Sequence, residues 1–87
     1  MIREQHYVAL FQSTHRVLAA EKLLKQEQVP FTLLPAPREL SSACGLAISY
    51  DPELAATIDR LLSAAGLRPA DLFIREETGF RKLKKEG

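Results

Sequence analysis

Eighty-seven residues with a formal net charge of +1 set narrow bounds. A chain this short makes one domain with a thin core, and its balanced charge gives no pull toward nucleic acid or anionic membrane. It has no 18-residue apolar run to span a bilayer. Met1-Ile2-Arg3-Glu4-Gln5-His6 lacks the apolar stretch of a signal peptide, so the expected location is cytoplasmic. One Cys excludes an intramolecular disulfide, and the two His lie in no metal-ligand spacing, so no metal or other cofactor is expected.

In chain order, His6 to Phe11 is a short apolar run of strand formers. Ser13 and Thr14 follow, and either hydroxyl can cap a helix by accepting from an orphan backbone N–H. The pattern is then helical to Gln28. Val17, Ala20 and Leu24 form the stripe, and Glu21 and Lys25 sit four apart in the favourable order. Pro30 disfavours helical geometry at Val29 and so ends the helix. Phe31 to Leu34 reads as a second strand, which Pro35 and Pro37 close.

Residues 38–45, Arg-Glu-Leu-Ser-Ser-Ala-Cys-Gly, are polar and small. They read as a loop, with a short helix over 38–44 as the rival. Leu46 to Tyr50 is a third strand with Leu46, Ile48 and Tyr50 on one face. Asp51-Pro52-Glu53 is a helix start, with Asp as N-cap and Pro in the first turn. Leu54, Ala55, Ile58, Leu61, Leu62 and Ala65 mark the buried face of that second helix, and Gly66 is placed to end it. Leu72 to Ile74 is a fourth strand. The core spans about 6–75, and 76–87 reads as a charged, frayed tail.

The order β-α-β-β-α-β predicts an α+β, ferredoxin-like sandwich: a four-stranded antiparallel sheet, order 4-1-3-2, with two helices on one face. That topology sends the first β–α turn and the loop between strands 2 and 3 to the same end of the sheet. Ser13, Thr14 and His15 then face the loop of Arg38, Ser41, Ser42, Cys44 and Gly45. Cys44 is the candidate catalytic group. A helix N-terminus, a His or an Arg nearby would favour its thiolate, the nucleophilic form. Gly45 permits close backbone approach, and Ser41 and Ser42 can donate to an anionic sulfur. Each has a plainer reading. Cys is often simply buried, His15 and Arg38 suit a solvated surface, and Ser13 and Thr14 suit capping.

The runs Phe11-Gln12-Ser13-Thr14-His15, Ala20-Glu21-Lys22-Leu23-Leu24-Lys25 and Pro35 to Ala47, with its Ser41-Ser42-Ala43-Cys44-Gly45, resemble the putative selenium/sulfur carrier protein-like family of short bacterial domains. The resemblance covers about residues 7–75 and leaves out the charged tail. It implies that Cys44 carries sulfur or selenium, received from a donor of the cysteine desulfurase or selenocysteine lyase type and passed to a downstream acceptor enzyme. A carrier or accessory protein is thus expected rather than a stand-alone enzyme. The alternative is a small-ligand-binding or regulatory module, since fold alone does not decide function. An exposed strand edge leaves a homodimer open.

Overall fold

A computed structural model of the chain describes residues 4–40 and 45–85. The chain forms β1 (Tyr7–Leu10), α1 (Thr14–Gln26), β2 (Thr32–Pro35), β3 (Leu46–Tyr50), α2 (Ala55–Ala64), β4 (Asp71–Glu76) and β5 (Gly79–Lys85), with a 3-10 turn at Pro52–Leu54 leading into α2. All strands belong to one sheet of order β2-β3-β1-β4-β5, antiparallel at every pairing. The expected order of the first four strands is present. The four-strand count is corrected to five.

The fifth strand comes from the segment expected to fray. Glu77 and Thr78 turn the chain back after β4, and Gly79, at φ +145, opens β5. Cross-strand chemistry then holds β5 in place. Lys82 pairs with Asp71 at 3.2 Å and Arg81 with Glu76 at 2.8 Å, while the Arg75 guanidinium lies 5.2 Å from the centre of the Phe80 ring. Pairs of this kind contribute about 0.2–1 kcal/mol each, enough in sum to order a hairpin on an existing sheet.

Both helices end alike. At the end of α1, Gln28 adopts φ +58 and the Val29 N–H donates to the Leu24 carbonyl at 2.9 Å. At the end of α2, Gly66 adopts φ +71 and the Leu67 N–H donates to the Leu62 carbonyl at 2.8 Å. In each case a left-handed residue lets the following N–H satisfy an orphan carbonyl. Glycine does this without strain, whereas Gln28 does it at some conformational cost. Asp51 caps as its sequence implies, its Oδ1 accepting from the Glu53 N–H at 2.8 Å, but what it caps is the 3-10 turn.

The helices cover one face of the sheet. Val17, Ala20 and Leu24 of α1 and Ile58 and Leu62 of α2 pack with Ala9, Phe11, Ile48 and Tyr50. Strand alternation sends Val8, Leu10, Ala47 and Ser49 to the opposite face, where they are also buried. There Leu40, Leu34, Ala36, Phe73 and Phe80 close over them. Leu10, Phe11, Leu24, Ile48, Ile58 and Leu62 are buried, and Leu33 is half-buried near the sheet edge; of the face expected to be buried on the second helix, Leu54, Ala55 and Leu61 are half-buried and Ala65, past the last turn, is exposed. No described helix is long and apolar enough to cross a membrane.

Candidate functional site

The register fixes which segments share an end of the sheet. Leu10 of β1 lies opposite Ala47 of β3 and Asp71 of β4, and Ala47 lies opposite Leu34 of β2. Beyond this row lie three connections: β1 to α1, β2 to β3, and α2 to β4. Two long-range bonds tie them. The Arg16 side chain donates from Nη1 to the Gly66 carbonyl at 2.9 Å, joining the first turn of α1 to the end of α2. The Ala70 N–H donates to the Leu10 carbonyl at 2.8 Å.

At the start of α1, Ser13 is the N-cap, with its Oγ accepting from the Arg16 N–H at 3.3 Å. Its hydroxyl thus serves the helix, as the plainer reading of the sequence allows. Thr14 and His15 occupy the first turn and are exposed. The β2–β3 connection is built differently. The Ala36 N–H donates to the Gly45 carbonyl at 2.9 Å, which extends the ladder one step past the Pro35–Leu46 pair and closes the base of the loop. Gly45 adopts φ +73, a region most side chains avoid. The Leu40 N–H donates to the Pro37 carbonyl at 3.0 Å, making a turn that drops the Leu40 side chain onto Val8, Leu10 and Ala47. Arg38, in that turn, is exposed.

Ser41, Ser42 and Cys44, and most of the rival short helix, lie outside the described residues. Ser13, Thr14 and His15 therefore share with Arg38 and Gly45 the end of the sheet they leave from. No hydrogen bond links Ser13, Thr14 or His15 to Arg38 among the described residues. The described loop can do two things physically. Its closed base holds Gly45 in register with the sheet, and Leu40 anchors the other arm in the apolar interior.

Among the described residues, two clefts lie away from this end of the sheet or beside it. One, of about 220 Å³, opens between α2 and β4 and is lined by Tyr50, Ala55, Ile58, Asp59, Pro69 and Leu72. Burial, together with the negative charge of Asp59 and the neighbouring Tyr7, pushes the Tyr50 phenol well above its ordinary range, so it stays neutral. The Tyr7 and Tyr50 rings meet edge-on at 5.8 Å. The second cleft, at the far end of the sheet, contains His6 and Asp51. The sequence reading did not find it, because it depends on a cross-strand register rather than on spacing along the chain.

A comparison with protein families matches residues 6–74 to the model described as putative Se/S carrier protein-like. The match spans Cys44 and ends within β4, leaving β5 outside. No curated protein and no solved structure matches the chain.

Proposed function

The chain belongs to the putative Se/S carrier protein-like family, and from that membership we propose that it is a group carrier whose working atom is the Cys44 sulfur. The observation that carries this reading is the family match across 6–74 in a chain with a single Cys. A carrier of this kind needs one nucleophilic thiolate and no resolving thiol. It also needs no deep pocket, which suits a loop closed at its base by the Ala36–Gly45 bond.

The chemistry is thiol exchange. The Cys44 thiolate attacks the outer sulfur of a persulfide on a donor of the cysteine desulfurase or selenocysteine lyase type. The S–S bond of the donor breaks, its own cysteine leaves as thiolate, and Cys44 becomes the persulfide. An acceptor thiolate then attacks the outer sulfur of Cys44 and releases the Cys44 thiolate. Neither step changes the total oxidation level, so no reductant or oxidant is needed. Arg38 leaves the same end of the sheet, and its charge would favour the thiolate over the thiol, as would a protonated His15. Ser41 and Ser42 supply hydroxyl donors for the anionic outer sulfur.

Incubation with a cysteine desulfurase and cysteine should add the mass of one sulfur atom to the intact protein. Cys44→Ser should abolish the gain while the far-UV circular dichroism is unchanged. A Cys44→Ser protein that still gains sulfur, or a wild type that gains none from either class of donor, would overturn the assignment.

A further inference from the structure

The helix-covered face holds a cleft that the carrier reading does not use. It opens between α2 and β4. On α2, Ala55, Ile58, Asp59 and Leu62 follow the i, i+3, i+4, i+7 spacing of a single helical stripe. Ile58 and Leu62 are enclosed in the core, and the Tyr50 ring and Leu72 of β4 pack with the same cluster. What the cleft leaves accessible is Ala55, Ala56 and Asp59 on the helix side and Leu72 on the strand side. Ala55 and Ala56 carry nothing beyond Cβ, so the first turn of α2 leaves the space in front of it unfilled.

The cleft measures about 220 Å³. An apolar cavity of about 150 Å³ is enough to hold a benzene ring, so one ring with a short arm fits here. The polar groups narrow the class of ligand. Two polar side chains stand in the lining, the Tyr50 phenol and the Asp59 carboxylate, and no Lys or Arg joins them among the described residues. Asp59 bears on the phenol through its charge, and the phenol keeps its proton. An anion would meet that carboxylate and no cation to balance it. A cation would meet the carboxylate and, beside it, a neutral phenol oxygen able to accept.

We propose that this cleft binds a small aromatic primary ammonium compound. The ammonium group donates to the Asp59 carboxylate and to the Tyr50 hydroxyl oxygen, and the ring lies against Ala55, Ala56 and Leu72. Asp59 is exposed, so the ammonium keeps part of its hydration and the charge adds a modest share of the affinity. The site is independent of Cys44 and of the carrier reading.

The test is a titration of the full chain with benzylammonium chloride, followed by amide NMR shifts, beside benzyl alcohol and sodium benzoate at the same ionic strength. Saturable shifts centred on Tyr50, Ala55, Ala56, Asp59 and Leu72 are expected with benzylammonium. Benzyl alcohol should bind several-fold more weakly, and benzoate should not saturate. Asp59→Asn, at an exposed helix position, should fold as wild type does and bring benzylammonium down to the affinity of benzyl alcohol. Ala56→Leu, also exposed, should place its side chain across the mouth of the cleft and weaken both ligands. Non-saturating shifts with benzylammonium, equal shifts with benzoate, or undiminished benzylammonium binding in either variant would each overturn the proposal.

Discussion

The two faces of the sheet are buried by different means. On one face two amphipathic helices lie over Ala9, Ile48 and Tyr50, and their stripes of Val17, Ala20 and Leu24 and of Ile58 and Leu62 are fully enclosed. On the other face no helix takes part among the described residues, yet Val8 is 0% and Leu10 2% exposed. A turn side chain, Leu40, and an added strand bearing Phe80 do the covering. The helix-covered face is held by elements that carry their own backbone hydrogen bonds. The opposite face depends on a connection, and connections open at lower free energy than packed helices. The connection in question is the one that contains Cys44. The placement of the described arm of that connection, residues 36–40, and the integrity of the second core are therefore coupled through one leucine.

The largest effect that tests this contrast is on the helix side. Leu24→Ala should destabilise the protein by about 2–5 kcal/mol in denaturant unfolding, the range for an enclosed leucine. Leu40→Ala should cost less, near the low end at about 2 kcal/mol, because the turn can settle into the space. It should also speed hydrogen exchange of the Ala36 amide, whose bond to Gly45 closes the loop. Equal losses for the two variants, with Ala36 exchange unchanged, would mean that the two faces are held in the same way.

Alkaline pH probes the helix-covered face through Tyr50. The phenol of Tyr50 is held neutral chiefly by burial, and then by the charge of Asp59 and by Tyr7. Its folded pKa is raised above the unfolded value of about 10, so its contribution is fully present below pH 10. Above that the unfolded chain gives up a proton that the folded one keeps, and stability falls with rising pH at up to about 1.4 kcal/mol per unit. Tyr50→Phe should remove this part of the alkaline slope. A slope identical in wild type and variant would place the titration elsewhere.

Which parts of this were legible in the chain follows from the same contrast. Helix burial repeats every three to four residues, so Val17, Ala20 and Leu24 announced their face, as did Ile58 and Leu62. Asp51-Pro52 and Gly66 marked turns through local chemistry that no distant contact is needed to explain. The β5 strand lacked such a signal. Phe80 and Leu83 are the two large apolar residues among Arg81, Lys82, Lys84 and Lys85, and the pairs that fix the strand lie on β4. The Leu40 role was hidden in the same way, since a single leucine in a polar loop has no period. Gly45 was legible as a residue free to take positive φ, and its backbone adopts φ +73. The His6–Asp51 meeting required knowing that β1 and β3 pair with Tyr7 opposite Tyr50.

Gly45 gives the next smaller effect. A Cβ added there would meet nothing within 4 Å, so the cost of Gly45→Ala is conformational, about 1–2 kcal/mol for a left-handed backbone. Gly45→Asn should recover part of it, because Asn tolerates that region. If Ala proved as stable as Gly, the backbone at the base of the loop would not need its left-handed turn.

The smallest expected effect has the opposite sign, and it tests the loop-covered face at its weakest point. Ser49 is enclosed there beside Val8, and its hydroxyl finds no partner among the described residues. Burying a hydroxyl costs the hydration it had in the unfolded chain, and a hydrogen bond normally returns that cost. With no bond the cost stands. Ser49→Ala removes the orphan group, keeps the Cβ and leaves a gap of one oxygen atom. The lost packing offsets part of the gain, so a net stabilisation of about 0.5–1 kcal/mol is expected, read as a higher denaturation midpoint at unchanged m. On the helix-covered face no comparable truncation should stabilise, because no side chain there is buried with an unpartnered polar atom among the described residues. A destabilised Ser49→Ala would mean that the hydroxyl has a partner in the free protein.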